Sequence, residues 1–429
     1  MKRRILVAAG TAAGLLALTA CGGGGGGGSA DDLEATGDIT IWYSNNEAEI
    51  AWGKQMVEAW NADHPDEQIK AQEIPAGASS EESITAAITA GNAPCLIFNT
   101  SPAAVPGFQK QGGLVNLSEF PDGDDYIMER TGEIADQYRS EDGGLYQLPW
   151  KSNPVMIFYN KDMFAQAGLD PEAPALSTYE EFLATSRTLV QAGVADYAIN
   201  PSPTSEFFQP WFDFYPLYAA QSGGTLLVED GAATFDDENG AAVANFWRTL
   251  YEEQLAGQEQ YQGDSFADGI SAMAIVGPWA ISVYGEDVNW GAVPVPTESG
   301  TAPEETYTFS DAKNIGLYTA CENKGTAWEV LKFATSEEQD GIWLEETGQM
   351  PLRQDLTSTY PEYFEANPAY EQFGDQASRT VEVPNVSNSI EIWQTFRDGY
   401  SKAVIFGEGE IDAFLTDTAA EVDELAAGN

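Results

Sequence analysis

Four tryptophans of this 429-residue chain stand where predicted strands and helices end or break, rather than in the middle of an apolar run. They are Trp150, Trp211, Trp279 and Trp393. An indole ring at the mouth of a site offers a flat apolar face, and amide or hydroxyl side chains beside it offer hydrogen bonds. That combination suits a neutral, polyhydroxylated ligand such as a sugar. The alternative for each ring taken alone is a place in the core or at a domain interface.

The residue patterns that catalysis would need are mostly missing. The single histidine, His64, rules out an HExxH zinc site or any two-histidine metal centre, and neither a GxSxG elbow nor a P-loop sequence occurs. With 68 acidic residues, no pair of carboxylates can be singled out for glycoside hydrolysis. The acidic loop 122–125 lacks the spacing of an EF-hand. We therefore predict a binding protein without metal or cofactor, not an enzyme.

The composition limits the partners. The formal net charge is −49, which repels nucleic acid and anionic lipid and discourages anionic ligands. We expect no nucleic-acid partner. Hydrophobic residues make up 43% of the chain, enough for two domains that each have a core.

The N-terminus has the pattern of a secretory signal. Basic residues at positions 2–4 precede an apolar run, and Leu18-Thr19-Ala20-Cys21 follows. This tetrapeptide matches the lipobox of bacterial lipoproteins, in which residues 1–20 are removed and the Cys21 sulfur carries a diacylglycerol. An ordinary secretory signal with an incidental cysteine is the alternative. Residues 21–37 begin with a run of glycines and predict a flexible tether, so we expect a lipid anchor at the extracytoplasmic face of the cell membrane.

Two cysteines remain beyond the anchor, Cys95 and Cys321. Outside the membrane an even pair favours a disulfide, and both would have to lie in one lobe of a hinged protein. Two buried free thiols are the alternative.

The first part of the chain alternates strands and helices. Strands are predicted at 38–43, 68–74 and 95–98, with helices between them, which indicates an α/β domain with a largely parallel sheet. Ligands of such sheets lie beyond the carboxyl ends of the strands. The polar residues expected at that edge are Asn45, Asn46, Glu47, Asn99 and Thr100.

The stretch 144–168, GLYQLPWKSNPVMIFYNKDMFAQAG, predicts a crossing between two lobes. Leu148 before Pro149 favours extended backbone, the polar run at 151–153 breaks the strand, and Val155–Tyr159 reads as a buried strand.

Five segments of the chain occur in the order that they have in the extracellular solute-binding proteins of sugar ABC transporters, the maltose-binding-protein-like family. They are ITIWYSNN, LPW with FYNKDMFAQAGL, FADGISAMAIVGPWAIS, WGAVPVP, and ENKGTAWEVLKFATSEEQ with TGQMPLR. The resemblance implies a two-lobe, type II periplasmic-binding-protein-like fold with a multi-strand hinge and a ligand cleft between the lobes. We place lobe 1 at 38–151 plus 311–352, and lobe 2 at 152–310 plus 353–429.

The resemblance also implies roles for single residues. Trp211, Trp279 and Trp393 fall on positions where aromatic rings stack on sugars, and Gln209 falls on a polar contact position. Asn153 stands where the family often has a carboxylate that binds hydroxyls, so this contact is changed or lost here. Arg397 either binds the ligand or braces the lobe.

The function implied is that of a monomeric, lipid-anchored substrate-binding subunit of an ABC importer. It would capture a neutral di- or oligosaccharide by lobe closure and deliver it to the permease transmembrane subunits. The alternatives are a non-sugar solute, such as a glycerol phosphate, a polyamine or iron, and a lipid-anchored surface glycosidase or lyase.

Overall fold

The computed structural model describes residues 33–428, apart from 45, 77, 78, 202 and 286. The predicted signal peptide, Cys21, most of the tether and the candidate Asn45 lie outside the described residues. The strands are β1 (Ile39–Tyr43), β2 (Ile69–Glu73), β3 (Leu96–Thr100), β4 (Leu148–Ser152), β5 (Met156–Asn160), β6 (Tyr197–Ile199), β7 (Val228–Glu229), β8 (Ala232–Ala233), β9 (Ser271–Val276), β10 (Trp290–Val293), β11 (Thr308–Phe309), β12 (Lys313–Leu317), β13 (Met350–Pro351) and β14 (Thr380–Val381).

The helices surround these strands. They are α1 (Glu47–Asp63), α2 (Ser80–Ala90), α3 (Val105–Lys110), α4 (Gly123–Thr131), α5 (Lys161–Gln166), α6 (Tyr179–Gln191), α7 (Phe214–Ser222), α8 (Glu238–Glu252), α9 (Ile281–Tyr284), α10 (Lys324–Ala334), α11 (Glu337–Thr347), α12 (Leu356–Thr359), α13 (Pro361–Ala366), α14 (Pro368–Gln376), α15 (Ser389–Tyr400) and α16 (Ile411–Ala426). Short 3-10 turns occur at Pro102–Ala104, Leu117–Glu119, Gly132–Tyr138, Gln209–Phe212, Pro278–Ala280 and Pro303–Glu305, and a π-helical turn at Ser401–Ile405.

The larger sheet forms the first lobe. Its strand order within the described residues is β13-β4-β12-β3-β1-β2. β1 pairs in parallel with β2 and β3, whereas β12 is antiparallel to β3 and β4, and β13 is antiparallel to β4. Two of these five pairings are parallel and three are antiparallel, so the expectation of a largely parallel sheet holds only for β1, β2 and β3. The prediction depended on those three strands, and β12 and β13, which follow the second lobe, run in the opposite direction.

The smaller sheet forms the second lobe, in the order β10-β5-β9-β6. β5 is antiparallel to β9 and β10, and β6 is parallel to β9. The crossing that follows 144–152 confirms the prediction of a buried strand, because all but the last residue of β5 are buried. The predicted two-lobe α/β fold is confirmed.

Three stretches connect the lobes side by side. They are the first hinge segment (153–155), the second (308–311) and the third (380–382). The Val155 amide donates to the Phe309 carbonyl (2.9 Å), and the Ser310 amide donates to the Val381 carbonyl (3.0 Å). β11 and β14 also pair in parallel. The lobes thus meet at a hydrogen-bonded, multi-strand hinge. The residue boundaries assigned to each lobe stay a prediction.

Each lobe has its own aromatic core. Trp52, Trp150 and Trp343 pack together in the first, with ring centroids 4.4–5.5 Å apart. Phe214 and Trp393 belong to the core of the second.

Local capping explains where several helices begin and end. The Ser336 hydroxyl accepts from the Gln339 amide (3.3 Å), and α11 stops at Gly348, whose φ of 66° is the left-handed conformation that glycine tolerates. The sequence predicts both features, the cap from the spacing of Ser336 and Gln339 and the stop from the glycine. The sequence Ser177-Thr178-Tyr179-Glu180 also predicts a capping box at Ser177, but the observed box is one residue later, where Thr178 and Glu181 cap α6.

Candidate functional site

The edge of the first lobe brings together the predicted polar residues. Asn46 caps α1, with its Oδ1 accepting from the Ala48 and Glu49 amides (3.0 and 3.2 Å). β1 and β3 are parallel neighbours, so Asn46, which follows β1, and Asn99, near the end of β3, lie at the same edge of the sheet. Asn99 has a φ of 66°, and its Oδ1 is buried without a partner among the described residues.

Two other candidates at this edge differ from each other in exposure. Glu47, the first residue of α1, is exposed. Thr100 is fully buried, and its hydroxyl donates to the Ile97 carbonyl (3.2 Å). Glu47 is therefore accessible to a ligand, whereas Thr100 is engaged inside its own strand.

A buried polar chain lies beside the hinge. The Asn153 Nδ2 donates to Gln349 Oε1 (3.3 Å), the Gln349 Nε2 donates to Glu49 Oε1 (2.9 Å), and Lys151 Nζ pairs with the same oxygen (2.6 Å). Burial by itself would raise the pKa of Glu49, but the Lys151 ammonium lowers it below its usual value. Glu49 is therefore an ionised carboxylate, and it is a residue that the sequence did not single out.

The amide of Asn153 is held in one orientation. Its Nδ2 also donates to the Asp311 carbonyl (3.3 Å), so the nitrogen faces two acceptors. Its Oδ1 is buried and has no partner among the described residues. Where the family often carries a carboxylate, this chain presents a fixed carbonyl oxygen, and the nearby negative charge belongs to Glu49.

Trp150 lies inside the first lobe. Its side chain is 1% exposed and packs on Phe98 and Trp343, with ring centroids at 5.3 and 4.4 Å. The Lys151 ammonium lies 5.1 Å from the ring centroids of Trp150 and Trp343. These contacts bury Trp150 in the core of the first lobe.

A pocket of about 270 Å³ opens in the second lobe at the carboxyl ends of β6 and β9. Half-buried Trp279 and Phe212 stand in its wall with ring centroids 6.0 Å apart, and Phe208, 36% exposed, stands at its rim. Polar residues Asn200, Gln209 and Asp264 also line it. The structure thus places two sequence-predicted residues, Gln209 and Trp279, in one cavity.

Gln209 is oriented by a buried acid. Its Nε2 donates to Asp213 Oδ2, while Asp213 Oδ1 accepts from the Phe214 amide (2.5 Å) as the cap of α7. Burial raises the pKa of Asp213 to about 8. With the nitrogen held by Asp213, the Gln209 Oε1 is left buried and without a partner among the described residues.

Trp211 and Trp393 lie beneath this pocket rather than in its wall. Trp393 is 0% exposed, and its ring centroid is 5.8 Å from that of Trp211, which in turn packs on Phe309 of the second hinge segment at 5.4 Å. Neither indole nitrogen has a partner within the described ranges. The two rings connect the pocket to the hinge.

Arg397 braces the second lobe. Its Nε donates to the Thr204 carbonyl (2.8 Å) and its Nη1 pairs with Asp398 (2.9 Å). It thus holds the loop that precedes Phe208.

The sequence profile of the bacterial extracellular solute-binding proteins matches residues 44–341. This chain belongs to that family. The matched range contains the edge of the first lobe, the pocket, and the buried polar chain except for Gln349.

Curated relatives cover most of the solute-binding protein. The diacetylchitobiose binding protein DasA of Streptomyces coelicolor is 25% identical over 390 residues, which are 83% of this chain and 84% of DasA. The maltodextrin-binding protein MdxE of Bacillus subtilis is 23% identical over 71% of each chain. The sn-glycerol-3-phosphate-binding protein UgpB of Pectobacterium atrosepticum is 24% identical over 74% of each.

Solved structures show the same fold. The cyclic alpha-maltosyl-1,6-maltose binding protein of Arthrobacter globiformis superimposes with a TM-score of 0.79 at 21% identity, over 92% of this chain and all of that one. An uncharacterized protein of Listeria monocytogenes gives 0.78 at 25% identity, over 91% and 99%. The fold is therefore that of the two-lobe binding proteins, as expected.

Two further features of the solute-binding protein concern its surroundings and its stability. None of the helices in the described ranges is long and apolar enough to cross a membrane. Cys95 and Cys321 form a disulfide that joins the beginning of β3 to the segment after β12, so both cysteines lie in the first lobe, as the sequence required.

Proposed function

We propose that this solute-binding protein captures a neutral di- or oligosaccharide between its lobes and presents it to the transmembrane subunits of an ABC importer. The observation that carries the proposal is the pocket in which Trp279, Phe208 and Phe212 form an apolar wall beside the free carbonyl of Gln209. Aromatic faces pack on the C–H faces of sugar rings, and the free carbonyl accepts from a hydroxyl.

Buried polar atoms without partners support a polar ligand. Native structures seldom leave such atoms unsatisfied, because each costs about 1–3 kcal/mol. In this chain they include Asn99 Oδ1, Asn153 Oδ1 and Gln209 Oε1. These three amide oxygens can accept hydrogen bonds, and the hydroxyls of a sugar can donate them. We infer that these amides and Trp279 contact the ligand, whereas Trp150, Trp211 and Trp393 support the site from beneath.

The charges of the cleft argue against an anionic solute such as the glycerol phosphate named for one relative. Three cations near the hinge and the pocket are already paired: Lys151 with Glu49, Lys313 with Asp311, and Arg397 with Asp398. A phosphate bound by any of these three would have to break its ion pair, and the net charge of −49 would repel it. A neutral sugar can bind without breaking an ion pair.

Lobe closure supplies the mechanism. Each lobe holds part of the site, so a ligand that touches both binds the closed arrangement better and shifts the population toward it. The hydrogen-bonded hinge segments allow a rotation without loss of either core.

Titration calorimetry tests the proposal with maltotriose, diacetylchitobiose and glycerol 3-phosphate as probes. We expect a neutral sugar to bind, and Gln209→Ala to weaken that binding. Binding of glycerol 3-phosphate alone would overturn it. Release of reducing ends from the sugars would instead favour a glycosidase.

The membrane anchor belongs to the same proposal. We propose that Cys21 carries a diacylglycerol, that the tether of 21–37 links it to the folded chain, and that the protein acts as a monomer at the extracytoplasmic face. Mass spectrometry of the N-terminal peptide tests the anchor, since a lipid-free peptide that retains residues before Cys21 would contradict it.

A further inference from the structure

Glu382 is a carboxylic acid buried in the hinge. It follows β14 in the third hinge segment and is 1% exposed. Both of its carboxyl oxygens lack a hydrogen-bond partner among the described residues. Its position is not at the ligand pocket, and no role of solute capture accounts for it.

The backbone of Glu382 is held by both lobes. Its amide donates to the Gln137 Oε1 of the first lobe (3.0 Å). Its carbonyl accepts from the Tyr215 hydroxyl of the second lobe (2.6 Å). The Gln137 Nε2 also donates to the Thr380 carbonyl (3.2 Å). Any rotation of one lobe against the other must therefore act on this residue.

The titratable groups around the carboxyl come from each element that packs against it. They are Tyr138 from the first lobe, Tyr215 from the second lobe, and Asp311 and Lys313 from the end of the second hinge segment and the start of β12. Lys313 Nζ is engaged with Asp311 Oδ1 at 2.6 Å. The Lys313 ammonium is thus already engaged by another acid. The hydroxyls that face the Glu382 carboxyl are those of Tyr138, itself unpartnered within the described chain, and Ser310.

Burial without a partner favours the neutral acid. An ionised carboxylate that loses water and gains no cation is costly, whereas the protonated form is not. Burial accordingly raises the pKa of Glu382 well above its usual range; Tyr138 and Lys313 oppose this rise, and Asp311 adds to it.

We propose that protonation of the Glu382 carboxyl stabilises the arrangement of the two lobes seen here. The hinge holds it as a neutral acid in the arrangement seen here, and it ionises when lobe movement admits water to the third hinge segment. Because the acid binds its proton more tightly in this arrangement than in water, the arrangement is fully favoured below the usual carboxyl pKa of about 4.3 and is progressively lost as pH rises through the raised value. The inference does not depend on which solute binds.

Two variants of the full-length protein test this linkage. Glu382→Gln keeps the shape of the side chain and removes its titration, and Glu371→Gln changes an exposed acid of α14 as a matched control. Melting temperature and the small-angle scattering radius of gyration are followed between about pH 5.5 and 8.5. We expect wild type and Glu371→Gln to lose melting temperature and to expand as pH rises. Glu382→Gln should not expand and should lose less melting temperature, since only Asp213 still titrates there, so that its advantage grows by about 2–4 °C or more.

A difference between Glu382→Gln and wild type that stays constant with pH would show a packing role alone and overturn the proposal. Infrared spectra give a second readout, since a protonated carboxylic acid at neutral pH has its own carbonyl band, to which Asp213 also contributes. A band that is absent from the wild type, or that is as strong in Glu382→Gln as in the wild type, would also overturn the proposal. Tyr138→Phe removes a hydroxyl that favours the ionised form, so we expect it to move the transition to higher pH.

Discussion

Replacing Trp279 by alanine is expected to weaken sugar binding far more than it weakens the fold. The ring is half-buried in the pocket wall and meets Phe212 with centroids 6.0 Å apart. An aromatic platform of this kind contributes about 1–3 kcal/mol to binding, and a loss of about 2 kcal/mol raises the Kd about thirtyfold. Trp279→Phe should keep part of the platform and lose less.

Trp393→Ala is the matched control. This ring is 0% exposed and packs on Trp211 and Tyr215 with centroids at 5.8 and 5.0 Å. Emptying such a site costs about 3–5 kcal/mol of unfolding free energy. Trp279→Ala should therefore act mainly on sugar affinity, and Trp393→Ala mainly on the free energy of unfolding.

Calorimetric titration with maltotriose and diacetylchitobiose, together with urea unfolding, measures both quantities for both variants. The reasoning is refuted if Trp279→Ala binds as the wild type does, or if it loses as much unfolding free energy as Trp393→Ala. The first result would remove Trp279 from the binding site, and the second would make it a core residue.

Three further changes probe the framework of the site. Joint replacement of Cys95 and Cys321 by serine should lower the unfolding free energy by about 2–5 kcal/mol without changing sugar affinity, because the bond lies within the first lobe; reductant-treated wild type is the control. Lys151→Met should cost about 3–5 kcal/mol in urea unfolding by leaving Glu49 buried and unpaired, and adding Glu49→Gln should restore part of it; equal losses in both variants would contradict the pairing. Burial raises the pKa of Asp213 to about 8, so the neutral acid stabilises the fold fully below the unfolded pKa of about 3.9, and this stabilisation is lost as pH rises through 8. Asp213→Asn should therefore gain stability relative to wild type from pH 6 to 9. A difference in unfolding free energy that does not change with pH would contradict this.

Local signals were enough for much of the fold. The cap at Ser336, the stop at Gly348 and the buried strand after Pro154 depend on neighbouring residues, and each is present. The direction of the returning strands could not be predicted, because it depends on where the chain re-enters the first sheet after it has formed the second lobe.

The site was less readable, for a physical reason. Trp150 and Trp279 both follow a break in an apolar run, yet one is enclosed by rings far away in sequence, such as Trp343, and the other stays half-buried. Glu49 and Glu382 were two acids among 68, and only the pairing of distant segments buries them. A residue's type can be read locally, but its burial is set by the tertiary fold.

The central claim is that the cleft takes up a neutral sugar. The most direct test is thermal unfolding of the protein from Ser29 onward with a panel of neutral mono- and oligosaccharides and with glycerol 3-phosphate. A ligand of the native state adds about 2.7 kcal/mol at a hundredfold excess over its Kd. We predict stabilisation by one linkage series of neutral sugars and none by glycerol 3-phosphate. No shift with any sugar, or a shift with glycerol 3-phosphate alone, would contradict the account.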